Sequence, residues 1–100
     1  MKKVTLQTEK LVTKYFCAEE KNLVMSVLTD ECGNNLPFCE KCSPKDLERI
    51  RFAVIRLSNG NLKCFDSAIK LAKTDWRDLL VRAEFVDDIK SHKVWANTIV

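Results

Sequence analysis

The sequence predicts a single all-α domain of about five short helices. Three observations lead to this prediction: apolar residues recur at helical spacing, helix start and stop signals alternate along the chain, and glycine and proline are scarce. With two Gly and two Pro in 100 residues, the chain lacks the turn residues that a β-sandwich or β-barrel needs. This length supports one modest core, so we expect residues 1–100 to form one domain.

Composition and charge restrict the class of protein. Apolar residues make up 46% of the chain and charged residues 31%, which is typical of a folded globular protein. The net charge of +3 is small and the charges are interspersed, which argues against a strong electrostatic attraction to nucleic acid or anionic membranes. No signal peptide and no apolar run of bilayer length is apparent, so we expect a cytoplasmic location.

Two helices are predicted in the first third of the chain. We interpret residues 1–7 as a frayed terminus or a short strand. The next apolar residues share one helical face after a cap at Thr8: Leu11, Val12, Tyr15 and Phe16. A second helix is predicted from Ala18 to Cys32. Because residues 24–29 are rich in β-branched side chains, a strand there is the alternative.

The signals for the third helix are the strongest in the chain. Residues 34–42 have no periodicity and are predicted to form a long loop between two helical halves. Ser43 can then cap a helix, with Pro44 at its first position and Asp46 completing an acidic variant of the capping box. The predicted core stripe of this helix is Leu47, Ile50, Ala53, Val54 and Leu57.

Further short helices are predicted towards the end of the chain. Residues 58–61 stop the third helix and offer Asn61 as the next cap. Thr74 can cap another helix, and Asp87 or Asp88 the last one. The apolar faces of these helices are Leu62, Phe65, Ala68, Ile69 and Ala72, then Trp76, Leu79, Leu80 and Ala83, then Ile89, His92 and Trp95.

One pattern in the C-terminal half is similar to a known group of proteins. The pattern runs from Arg49-x-Arg51-Phe52-Ala53 through Asp75-Trp76-Arg77-Asp78-Leu79-Leu80 to His92-x-x-Trp95. It resembles a family of small, uncharacterised bacterial helical proteins that has no assigned activity. The resemblance implies a helical fold and transfers no catalytic residue.

Five cysteines raise the question of a metal site. The spacing Cys32-x6-Cys39-x2-Cys42 offers one C-x-x-C knuckle, and Cys64 would complete four thiolates for zinc. The competing interpretation is that Cys32 and Cys64 are small hydrophobes on helix faces and the other two are loop thiols. A redox role ranks last, because the second cysteine of the pair is nearest the predicted helix and no βαβ unit is present.

Candidate catalytic groups are sparse. His92 is the only histidine, and two glycines cannot build a P-loop or a dinucleotide-binding loop. Asp75 falls in a first helical turn, and Asp78 precedes Arg82 by four residues, the spacing of a surface ion pair. The same acids would repel phosphate in a DNA-reading helix-turn-helix. We therefore expect neither enzymatic activity nor nucleic-acid binding.

The remaining hypothesis is a protein-interaction or assembly module that binds a protein partner or a second copy of itself. Aromatic residues and arginine dominate binding hot spots. The candidate interaction surface is Trp76, Arg77, Phe85, His92 and Trp95. The competing interpretation is that both tryptophans are core residues and that His92 serves packing. The alternative is a small zinc-stabilised module that binds protein or nucleic acid through the cysteine cluster, and otherwise no cofactor is expected.

Overall fold

Five helices account for most of the residues that the structure describes. The computed structural model describes residues 5–32, 36, 43–85 and 90–99. The helices are α1 (Leu6–Tyr15), α2 (Ala18–Glu31), α3 (Pro44–Ser58), α4 (Leu62–Arg82) and α5 (Ser91–Ile99). The residues described contain no strand, so the predicted all-α fold is confirmed. The radius of gyration of 12.0 Å is close to the value of about 13 Å for a compact domain of this length.

The first two helices differ from their predictions mainly at the start of α1. Thr5 is its cap, because the Thr5 hydroxyl accepts a hydrogen bond from the Thr8 backbone N–H at 3.2 Å. Thr8 itself belongs to the first turns of α1 and is buried. The predicted cap at Thr8 was therefore wrong, and so was a strand reaching residues 6 and 7; residues 1–4 lie outside the described part. α2 confirms the predicted helix and excludes the strand alternative at 24–29.

The start of α3 has the predicted capping box. The Ser43 hydroxyl accepts from the Asp46 N–H at 3.2 Å, and the Asp46 carboxylate accepts from the Ser43 N–H at 3.0 Å. Satisfying two backbone donors in this way fixes the first turn from local sequence alone. The predicted loop before it, residues 34–42, falls outside the described residues except for Leu36, which is buried.

α3 is enclosed on more sides than its predicted stripe implies. Leu47, Ile50, Ala53 and Val54 are buried as expected, whereas Leu57 is only half-buried. Phe52 and Ile55, which lie off the predicted stripe, are also fully buried. The reason is that α3 contacts three other helices, α1, α4 and α5, and so lies at the centre of the core.

The predicted fourth and fifth helices are the two segments of α4, which bends at Asp75. The Asn61 amide oxygen caps the first segment by accepting from the Lys63 and Cys64 N–H groups, as predicted. At the bend, Asp75 has φ −159° and ψ 91°, and its carboxylate accepts from the Arg77 and Asp78 N–H groups in the turn that follows. Asp75 therefore caps the second segment. The prediction of Thr74 as the cap was wrong by one residue.

The turn after α4 has, at its left-handed position, a residue that the sequence did not indicate for this role. Glu84 has a positive φ of 63°, its N–H bonds to the Val81 carbonyl at 3.1 Å, and the Phe85 N–H bonds to the Leu80 carbonyl at 2.9 Å. This is the hydrogen-bond pattern of a Schellman motif, in which glycine usually occupies the left-handed position. The predicted caps of α5, Asp87 and Asp88, lie outside the described residues.

Candidate functional site

A pocket of about 520 Å³ lies between the start of α3 and the start of α5. We call it the α3–α5 pocket. Its lining includes six charged or titratable side chains: Lys45, Asp46, Arg49, Lys90, His92 and Lys93. The capping box positions the first three, because it fixes the direction in which the first turns of α3 project their side chains.

Cations outnumber acids on this lining. Three lysines and one arginine contribute to it, and Asp46 is the acid among them. The Asp46 carboxylate already accepts the Ser43 N–H within the capping box, so part of its hydrogen-bonding capacity is used within the protein. A pocket with this surplus of positive charge suits an anionic group such as a carboxylate or a phosphate.

His92 forms the most deeply buried part of the pocket. Its side chain is packed against the rings of Phe52 and Phe85, with ring centroids 5.3 and 6.2 Å away. Neither ring nitrogen has a hydrogen-bond partner among the described residues. The Nε2 atom lies 3.5 Å from the Glu48 Oε1, which is a close electrostatic contact beyond the usual range of a hydrogen bond. Buried polar groups are seldom left unpaired in this way.

Glu48 is the buried acid next to this histidine. Its Oε1 lies 3.7 Å from the Lys93 Nζ, so the carboxylate has both a histidine and a lysine beside it. Burial lowers the pKa of His92 below its ordinary value of 6.5, and Glu48 opposes this effect without reversing it. His92 is therefore neutral at pH 7 in the absence of a ligand.

The structure does not bring the predicted interaction surface together as one exposed patch. Phe85 and His92 are core residues, with 0% and 2% of their surface exposed, so their assignment to a surface has to be corrected. Trp95 is half-buried and stacks on Tyr15 with ring centroids 6.1 Å apart. The physical reason is that the aromatic spacing at the end of the chain serves packing against Phe52 of α3.

Trp76 and Arg77 lie at a different place, beside the bend of α4. Arg77 is exposed, and its guanidinium carbon lies 5.6 Å from the centroid of the half-buried Trp76 ring. The nearby ion pair predicted between Asp78 and Arg82 is confirmed, with 3.0 Å between Oδ2 and Nε. The contacts of Trp76, Arg77, Asp78 and Arg82 are made within the fold. Among the described residues near the bend, they form no pocket with a surplus of cations like that of the α3–α5 pocket.

Two arginines of α3 bind the turn that follows α4. Arg49 donates from its guanidinium to the Phe85 carbonyl. Arg56 lies 3.1 Å from the Glu84 carboxylate and also covers the Phe85 and Trp95 rings, at 5.3 and 5.6 Å from their centroids. Both arginines are half-buried and hold α3 against this turn.

The cysteines separate into different environments. Cys32 is fully buried, and burial raises the pKa of its thiol to about 12. Cys64 is exposed, so the interpretation of both as buried small hydrophobes holds for Cys32 and fails for Cys64. Cys39 and Cys42 lie outside the described residues. Within the described ranges no three His, Cys, Asp or Glu side chains are grouped as a metal site would require, and the zinc site stays a prediction.

Sequence reasoning missed most of the α3–α5 pocket. His92 was placed both on an apolar helix face and in the candidate interaction surface, while Lys90, Lys93 and the neighbouring Glu48 were not predicted as site residues. The signal that was available is modest: a charged first turn of α3 and a run of basic residues around His92. Only the packing of α5 against α3 brings these two stretches together.

Comparison with protein-family models, with curated proteins and with solved structures gave no match. The resemblance to a bacterial helical family therefore stays a prediction. In the part of the chain that the structure describes, no helix is both long enough and apolar enough to cross a membrane.

Proposed function

We propose that this chain is a non-enzymatic helical protein-interaction module that binds an acidic segment of a partner protein at the α3–α5 pocket. The observation that carries the proposal is the surplus of cationic side chains on the lining of this pocket. Complementary charge across an interface steers encounter and selects partners of the opposite sign. The small net charge of +3 makes a local cluster more informative here than the overall charge.

The chemistry of the pocket supports binding more than catalysis. Ser43 carries the only hydroxyl among its described lining residues, and this oxygen already accepts a hydrogen bond from Asp46. Lysine and arginine heads supply hydrogen-bond donors and charge, but neither is an activated nucleophile at exposed positions near pH 7. A carboxylate of a partner protein would find several donors in one concave place.

Two exposed lysines on the rim allow a direct test of this site. We expect Lys45→Gln with Lys90→Gln to weaken binding of an acidic peptide by about threefold to tenfold, because exposed ion pairs contribute modestly. The probe is a short peptide of alternating Glu and Ser with blocked ends, and binding is measured by calorimetry at low salt. Its Gln–Ser counterpart should not bind.

The matched control is Lys14→Gln with Lys63→Gln, which removes the same charge at exposed positions away from the pocket. Equal losses in the two double variants would contradict a localised site and would reduce the effect to net charge. Circular dichroism of each variant checks that the helical fold is retained. A native mass spectrum of the unmodified chain identifies any self-association that competes with the peptide.

A further inference from the structure

We propose that binding of an oxyanion in the α3–α5 pocket is coupled to protonation of His92. The inference rests on the proposed function for the source of the anion, a carboxylate on a partner protein, and adds a regulatory property to that site. It follows from the position of one buried histidine between an open cationic pocket and a buried carboxylate.

The geometry leaves His92 with unused hydrogen-bonding capacity. The residue is 2% exposed, it belongs to the lining of the pocket, and neither Nδ1 nor Nε2 has a hydrogen-bond partner among the described residues. Both nitrogens are buried in the ligand-free pocket, so an anion bound there acts on the ring through its charge. Protonation of the ring also gives the imidazolium two donors where the neutral ring has one.

The charges facing His92 determine the direction of the coupling. From α3, Glu48 favours the protonated ring, whereas Arg49 opposes it, and from α5 Lys93 also opposes it. Lys45, Asp46 and Lys90 complete the charged groups of the described pocket lining. A bound anion offsets the cations and adds a second negative neighbour for the ring. Proton uptake and anion binding therefore strengthen each other, as linkage requires.

The single histidine makes the test direct, because every imidazole signal in the proton NMR spectrum comes from His92. The ring signals are titrated in the unmodified protein with no ligand, with the alternating Glu–Ser peptide, and with inorganic sulfate. Sulfate stays ionised between about pH 5 and 8, where histidine titrates, and glutamate, with an ordinary pKa of about 4.3, is largely ionised above about pH 5.5. We expect both probes to raise the pKa of His92, and the peptide to bind about tenfold more tightly near pH 5.5 than near pH 8.

A variant without a titrating ring tests whether the pH dependence of peptide binding comes from His92. His92→Gln keeps a polar side chain that can donate but cannot become charged, so we expect the peptide to bind with an affinity that no longer changes over this pH range. If this variant fails to fold, the titration of the unmodified protein still decides the question. Lys14→Gln is the control, and its coupling should match that of the unmodified chain.

The outcomes distinguish the two proposals. Peptide binding with an unchanged His92 titration would overturn the coupling and leave the interaction module in place. A response to sulfate without peptide binding would keep the coupled anion pocket and overturn the acidic protein segment as its ligand. No binding of either probe would overturn both, and equal peptide affinities at the two pH values would contradict the coupling independently of the NMR result.

Discussion

Arg51 illustrates how a single buried polar residue can organise the centre of this protein. It is 2% exposed, and its Nε donates to the Cys32 carbonyl at 3.1 Å, at the C-cap of α2. A helix end leaves carbonyl groups without intrahelical partners, and burying one of them unpaired would be costly. The guanidinium therefore satisfies the end of α2 while its own position is fixed by α3. Nothing in the local sequence around Arg51 predicts this partner 19 residues away.

Cys32 should be inert to thiol reagents in the native protein, whereas Cys17 and Cys64 should react. The Cys32 thiol is buried and its pKa is raised to about 12, so both access and the reactive thiolate are suppressed. Cys17 and Cys64 are exposed. We expect at least about a hundredfold slower alkylation of Cys32 by iodoacetamide near pH 8, measured by peptide mass spectrometry.

Cys17 and Cys64 serve as internal controls in the same digest. Denaturation in urea should abolish the difference, because the protection comes from the fold. Alkylation of Cys32 at a rate comparable with that of Cys64 in the native protein would contradict the burial of the Cys32 thiol.

At the scale of elements, local signals predicted some helix boundaries and missed others. The capping box at Ser43 was predictable because both of its hydrogen bonds join residues three apart. At the bend of α4, Thr74 and Asp75 are adjacent residues that can both cap, and the choice depends on how the second segment packs. The end of α4 at Glu84 has no glycine, so the sequence gave no helix-stop signal there. The backbone nevertheless adopts the left-handed turn that glycine favours.

Replacing Glu84 by glycine should stabilise the protein despite the loss of an ion pair. Glu84 has a φ of 63°, a conformation that costs an L-residue roughly 1 kcal/mol relative to glycine. The ion pair with Arg56 is largely solvent-exposed on the glutamate side, so its loss costs only about 0.2–1 kcal/mol. The expected net change is a gain of up to about 0.8 kcal/mol in the free energy of unfolding, measured with urea.

Glu84→Ala is the matched control, because it removes the same ion pair without relieving the backbone. We expect Glu84→Ala to be less stable than the unmodified chain and Glu84→Gly to be the more stable of the two variants. The reverse order would show that this turn does not hold residue 84 in the left-handed conformation.

At the scale of the whole molecule, the fold was predictable and the site was not. Helical periodicity and scarce glycine are properties of neighbouring residues, and they indicated an all-α protein correctly. The α3–α5 pocket joins residues 43–49 to residues 90–97, and no local signal in either stretch predicts contact with the other. Likewise, the spacing of His92 and Trp95 was compatible with a core or a surface, and only the packing of Phe52 and Phe85 around them decides between the two.

The stability of the ligand-free protein should fall as the pH is lowered below the ordinary histidine value of 6.5. Burial lowers the pKa of His92 in the folded state, so between the folded and unfolded values the unfolded chain binds more protons. The His92 effect on the free energy of unfolding is therefore absent above pH 6.5. The free energy of unfolding then decreases progressively as the pH falls through the folded-state pKa of His92. Urea unfolding in buffers free of carboxylate and phosphate measures this slope, and His92→Gln should flatten it between about pH 5.5 and 7. Sulfate should reduce the loss at the lower pH in the unmodified protein, since it favours the protonated ring. Greater stability at pH 5.5 than at pH 7 without ligand would contradict a histidine held neutral by burial.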